Sequence, residues 1–416
     1  MTFSPAVPFE DASHRSRISV GITTYAVLTG ALIFAATDPI YPTLMRGPSE
    51  WVLTAPGLDA MRRLAWLAIY LGMIGAMVAM RARLAEALRG QIPFFLAMGY
   101  FVLSALWSDD PKGGIVGGVQ AAFTMTFGIL IGARLGSEGI LKAFFVCGLL
   151  VVGFTAVFIV VFPQHAFGFR YNSGALRGVY VEKNHLALVM SYTVWASVFM
   201  ALIRPRSWLL WGFAGLSLVF AVLAVSSIAL LQILLIAACV VYAVLLRGMA
   251  TRGSIALLAF LSGLAFLAIA LPVVLGALGE DMTFNGRTTL WGFLWQAISE
   301  RPFLGWGYRG FWNGPEAEQM RVVLGWPAHG AHNVWLQALL WGGLVGLVLW
   351  ATQWAGVLRK AARAFATADD LRHVAMSVLV FMTLLWSLFE TTQLQHFTHN
   401  SIVTGMVFAL RNPRFR

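Results

Sequence analysis

Apolar residues run in long uninterrupted stretches along most of this chain, and short polar breaks separate them. Stretches of about 17–25 such residues have the length of a helix that crosses a hydrocarbon layer. Twelve can be bracketed, near residues 18–37, 64–80, 91–108, 113–133, 143–162, 185–203, 207–226, 228–246, 254–277, 333–357, 374–389 and 399–410. In lipid the backbone has no water to bond, so stretches this long must close their own hydrogen bonds as helices. The pattern predicts an all-α polytopic membrane protein of about 12 transmembrane helices, a single membrane domain over 1–416. Two connections on one side stand out as long and polar. Residues 163–184 join helices five and six, and residues 278–332 join helices nine and ten. Within the second, Leu290, Trp291, Leu294, Ala297 and Ile298 recur at helical spacing, which predicts an amphipathic surface helix over 287–300.

Composition agrees with this reading. The chain is 59% hydrophobic and 11% charged, with mean hydropathy +0.76, whereas soluble domains carry roughly 25% charged residues. Charge also sets the orientation. With the N-terminus inside, the inner loops and tails hold 18 of the 29 Lys and Arg and 6 of the 18 Asp and Glu. This is the bias that places both termini in the cytoplasm. The net charge of +11 is therefore a topology signal, and no nucleic-acid partner is expected. The first apolar run lacks a small-residue cleavage site and reads as an uncleaved anchor. Cys147 and Cys239 fall inside apolar runs and read as small core residues.

None of the twelve brackets contains Asp, Glu, Lys or Arg. Ion-coupled carriers usually keep charges at mid-membrane, so transport is disfavoured, although neutral backbone sites at broken helices remain a route for a carrier. Chemistry must then gather on the outer surface, where three polar sets stand out. The first is Arg170 and Arg177 through Glu182-Lys183-Asn184-His185. The second is Asn285-Gly286-Arg287-Thr288-Thr289. The third is His329 with His332-Asn333. Even-numbered helices begin on this side, so their free N–H groups and positive dipole ends face the same surface. Converging cations and helix N-termini suit a diphosphate. His332 is the candidate base, since imidazole titrates at about pH 6.5 in general. Glu390, His396 and His399 form another outer cluster, read first as structural. The histidines lack a zinc-site spacing, and there is no nucleotide-binding phosphate loop.

Three stretches together resemble the bacterial O-antigen ligase and O-antigen polymerase superfamily: LRGVYVEKNHLA (176–187), NGRTTLWGFLWQAISERPFLGWGYRGFW (285–312) and AHNVWLQALLWGGLVGLVLW (331–350). The resemblance covers the second half of the chain well and the first half only as a pattern of spans. It implies an inner-membrane glycosyltransferase that moves a glycan from an undecaprenyl-diphosphate carrier to an acceptor hydroxyl on the periplasmic side. On this chain Arg177 and Arg287 would hold the diphosphate, and His332 would activate or orient the acceptor. Lys183, Asn184, Asn333, Arg309 and His329 would bind substrate. The histidines of Ala-His-Gly-Ala-His-Asn stand three apart, where many relatives have them two apart, and this departure leaves His329 without a matched role. No metal, nucleotide or other cofactor is implied. The expected partners are the lipid-linked glycan donor, a glycan or lipid A core acceptor, membrane lipids and other polysaccharide-assembly proteins. The Lys-Asn form and the Gly-Trp-Gly-Tyr-x-x-Phe-Trp ending look most like exopolysaccharide polymerases. An O-antigen ligase is the next reading, then a protein O-oligosaccharyltransferase, and last a non-enzymatic carrier of lipid-linked glycan.

Overall fold

The computed structural model describes residues 11–45, 58–168, 174–204, 207–245, 287–367 and 370–411. Among them every regular element is a helix, apart from one isolated bridge between Phe167 and Leu176. In chain order the helices are α1 (Asp11–Ala36), α2 (Tyr41–Met45), α3 (Leu58–Ala79), α4 (Arg81–Ala87), α5 (Ile92–Ser104), α6 (Pro111–Val161), α7 (Pro163–Ala166) and α8 (Lys183–Ile203). There follow α9 (Trp208–Leu223), α10 (Ser227–Leu245), α11 (Arg287–Glu300), α12 (Gly310–Asn313), α13 (Pro315–Leu324), α14 (Val334–Thr367), α15 (Leu371–Ser387) and α16 (His399–Ala409). Among the described residues six segments are long and apolar enough to cross a membrane, or seven if the pair around α4 and α5, bent by 96°, forms one span. The chain is an all-α membrane protein. The ninth apolar run, 254–277, and Arg170, Asn285 and Gly286 lie outside the described residues.

Two long helices are broken at glycine, for different reasons. At 51 residues α6 would extend about 75 Å as a straight helix, far more than the roughly 30 Å of hydrocarbon it meets. Gly136, at φ 61° and ψ −173°, splits it into two helical halves. Arg134, Glu138 and Lys142 sit at that break, where Arg204 pairs with Glu138 at 2.9 Å. In α14 the break is Gly343, at φ 59°, and there the helix receives another part of the chain.

The segment 301–307 docks into that second break. Trp306 and Gly307 donate their N–H groups to the Leu340 and Trp341 carbonyls, at 2.9 Å each. The N–H groups of Leu344 and Val345 donate back to the Pro302 and Phe303 carbonyls, at 2.8 and 3.3 Å. Backbone groups freed by the kink are thus repaired by a neighbouring loop, as buried irregular backbone requires. The Arg301 guanidinium stacks 3.9 Å over the Trp306 ring, and the Trp306 indole N–H donates to the Ala297 carbonyl at 2.9 Å. The Arg-Pro-x-x-Gly-x-Gly pattern is therefore a docking element.

The bundle centres on α6, against which α1, α8 and α16 pack. Its tightest crossing is with α16. A Cβ on Gly128 would lie 2.9 Å from Gly405 Cα, and one on Gly405 would lie 2.8 Å from Gly128 Cα. Small residues permit this backbone approach, which supplies packing where lipid offers no hydrophobic drive. Leu64, Leu67, Leu71, Ile74 and Val78 are exposed along α3 at helical spacing, a lipid-facing stripe.

Candidate functional site

The loop before α14 turns sharply, and His332 adopts φ 48°, a left-handed conformation that non-glycine residues rarely take. Such strain costs on the order of 1–3 kcal/mol and persists only where neighbours enforce it. Here the neighbours can be named. The Trp291 indole N–H of α11 donates to the Ala331 carbonyl at 2.8 Å, and the Ala331 N–H donates to Gln337 Oε1 at 2.9 Å. Asn333 Oδ1 accepts the N–H groups of Trp335 and Leu336, both at 2.9 Å, and so caps α14. The Asn333 amide also donates to the Leu388 carbonyl at 3.1 Å. Together these contacts fix His332 against the loop that follows α15.

That loop delivers Glu390. Its Oε2 lies 3.2 Å from His332 Nδ1, and its Oε1 lies 3.0 Å from Arg287 Nη2 at the first residue of α11. One carboxylate therefore joins two residues distant in sequence. Burial pushes the Glu390 carboxyl up, but the hydrogen bond and charge of His332 and the charge of Arg287 outweigh it and hold it below its ordinary value. An ionised carboxylate only accepts hydrogen bonds, so the proton of neutral His332 sits on Nδ1 and the Nε2 lone pair is left for another group. The His332 side chain keeps 29% exposure, against 15% for Glu390 and Arg287. The arrangement can take a proton at Nε2 and present positive charge beside it.

The other candidate residues lie as follows. The Arg177 guanidinium donates to the His165 carbonyl at 2.8 Å and the Gln164 carbonyl at 3.4 Å, contacts that tie it to the α7 turn. Lys183 and Asn184 open α8 and are half-buried. His185, one residue on, stacks between Tyr180 and His399, at 4.5 and 5.0 Å between ring centroids. Arg309 caps α12 at φ 65°. His329 is exposed. The structure thus gathers Arg287 and His332 and gives Asn333 a capping role.

Sequence reasoning treated Glu390 as structural and did not single out Arg62. Arg62 of α3 pairs with Asp38 at 2.8 Å and donates to the Phe397 carbonyl at 3.2 Å. A signal for Glu390 was present: it is the one acid of the outer segment 388–398, where a carboxylate buried against cations has reason to sit.

Residues 212–351 match the family described as O-antigen ligase, a range that includes Arg287, Arg309 and His332 and stops short of Glu390. A stretch of 82 residues is 37% identical to the exopolysaccharide production protein ExoQ of Rhizobium meliloti (strain 1021), covering 18% of this chain. That match spans 19% of the length of the relative. About a third of the chain is thus similar to the O-antigen ligase family, and a shorter stretch to a protein of exopolysaccharide production.

Proposed function

We propose that the protein is a metal-independent glycosyltransferase of the bacterial inner membrane, with both termini cytoplasmic. It moves a glycan from an undecaprenyl-diphosphate carrier to a sugar hydroxyl on the periplasmic face and polymerises surface polysaccharide. The observation that carries this reading is the pair of contacts on Glu390, which orients His332 as a base and sets Arg287 beside it. The acceptor hydroxyl oxygen bonds to the anomeric carbon while the bond from that carbon to the diphosphate oxygen breaks. The hydroxyl proton goes to His332 Nε2, and the undecaprenyl diphosphate leaves with both electrons of the broken bond. Attack opposite the leaving group inverts the anomeric centre. Fixed cations stabilise the departing charge without reorganising, and positioning lowers the remaining barrier. Arg287 and Arg177 are assigned to the diphosphate, and Lys183, Asn184, Asn333, Arg309 and His329 to substrate contacts.

The stretch similar to ExoQ, an exopolysaccharide production protein, favours polymerisation. The family description favours a second reading, transfer of the finished glycan to lipid A core by a ligase. Purified protein incubated with an undecaprenyl-diphosphate oligosaccharide separates them. A ladder of longer lipid-linked glycans is expected, and it should vanish in His332→Ala, with a loss on the order of 10²–10⁴ in rate. No ladder, but transfer on adding lipid A core, would make the protein a ligase. Turnover unchanged in both His332→Ala and Arg287→Ala would sink the site assignment.

A further inference from the structure

A second cationic group lies outside the Glu390 triad, and the proposed chemistry leaves part of it unused. The Arg309 guanidinium makes no hydrogen bond or ion pair with any described residue, although the residue is half-buried. It also holds a left-handed backbone at φ 65°, a cost that clusters at functional sites. Gly117 of α6 makes room for it: a Cβ there would lie 3.3 Å from Arg309 Cδ, 3.4 Å from its Nη1 and 3.3 Å from His396 Nδ1. The guanidinium and the imidazole therefore meet over one glycine. Burial first, then Arg309 and Arg62, push the His396 imidazole down to about 4. It stays neutral beside the arginine, with an N–H to donate.

Arg62 approaches from α3. It is bonded to the carbonyl of Phe397, the neighbour of His396, and its side chain is 45% exposed. Asp38 offsets one of the two arginine charges, which leaves the group net positive. One and two turns further along α3, Trp66 and Tyr70 pack their rings on Phe397 at 5.4 and 6.0 Å. Trp66 is fully buried there and Tyr70 half-buried, and the exposed residues Leu64, Leu67 and Leu71 flank them on the neighbouring face of α3.

We propose that Arg309, His396 and Arg62 form a phosphate-binding lobe for a lipid-borne phosphate ester, with the tail running along α3. Arginine suits this task because its planar fork grips phosphate oxygens in pairs. The adjoining aromatic and lipid-exposed surface favours a lipid phosphate over a free one. The proposal rests on the lipid-diphosphate donor reading and places at least one phosphate of that donor at Arg309.

The test is equilibrium binding to the purified full chain in nanodiscs. The probes are undecaprenyl diphosphate, undecaprenyl monophosphate, undecaprenol and inorganic phosphate, each with the wild type and Arg309→Gly. Glycine removes the cation and accepts the left-handed backbone without strain, so folding should survive, and a thermal melt checks it. Arg309→Lys keeps the charge and loses the fork. The expected result is a Kd for both lipid phosphates at least tenfold weaker in Arg309→Gly, an intermediate value in Arg309→Lys, and undecaprenol binding unchanged. Equal affinity of a folded Arg309→Gly for the lipid phosphates would overturn the lobe while leaving the donor reading intact. No wild-type binding of either lipid phosphate would overturn both. Arg309-dependent binding of inorganic phosphate alone would reject the lipid source.

Discussion

Glu390→Gln should abolish most polymerisation while the chain still inserts in the membrane. The substitution keeps the shape and removes the charge. His332 would lose the partner that fixes its proton on Nδ1, and the amide could turn its NH₂ to that nitrogen and favour the other tautomer. In serine proteases a wrong tautomer of this kind costs about 10⁴ in kcat, and a drop of about 10²–10⁴ is expected here. Arg287 would also lose its counterion in a site where its side chain is 15% exposed. Breaking a buried pair by removing one partner costs about 3–5 kcal/mol, so the melt should fall too. Glu390→Asp keeps the charge at shorter reach and should recover part of the rate. The pH dependence has a definite sign. A carboxyl held below its ordinary 4.5 contributes stability that is complete above that value and is lost as pH falls through the lower one. Wild-type protein should therefore keep its melting temperature from neutrality down to about pH 4.5, while Glu390→Gln starts lower and responds less to acid. Polymerisation by Glu390→Gln at the wild-type rate would show that Glu390 does not orient the base.

The membrane class was legible in the sequence because hydropathy is a local, additive signal. Gly-rich motifs were legible as motifs but not as architecture. Gly305 and Gly307 read as family markers, and only the structure shows them lying against the break at Gly343. The contacts of Glu390 were not legible for a related reason. It stands 58 residues from His332 and 103 from Arg287, and no periodicity reports a contact at that range. Asn333 was chosen for its neighbourhood to His332, yet its amide is taken up by capping α14 and binding the Leu388 carbonyl. A polar residue at a helix start serves the helix and a ligand by the same hydrogen bonds, so sequence cannot apportion it. Arg309 is the converse case. It was carried over with its motif, and the structure adds a physical reason, a half-buried guanidinium without a hydrogen-bond partner among the described residues.

Gly343→Ala should destabilise the protein more than most single substitutions, because it attacks the fold where the loop enters α14. Alanine at φ 59° pays about 1–2 kcal/mol for the left-handed backbone. Its Cβ would also lie 2.2 Å from the Phe303 carbonyl, and backbone cannot swing aside as a flexible side chain can. Relief requires the 301–307 segment to lift away. That would release the four hydrogen bonds made by Trp306, Gly307, Leu344 and Val345, each contributing about 0.5–1.5 kcal/mol net. Gly292 of α11 provides the contrast, since a Cβ there meets nothing within 4 Å. Gly292→Ala should be neutral or stabilise by about 0.5–1 kcal/mol through helix propensity. The consequence reaches the site, because α11 carries both Arg287 and Trp291, and Trp291 anchors the His332 turn. Gly343→Ala should therefore lose thermal stability and polymerisation together and admit protease near 301–304, where Glu390→Gln should resist cleavage. A wild-type melt for Gly343→Ala would mean that the loop can leave α14 at no cost, and that the broken helix does not hold the site in place.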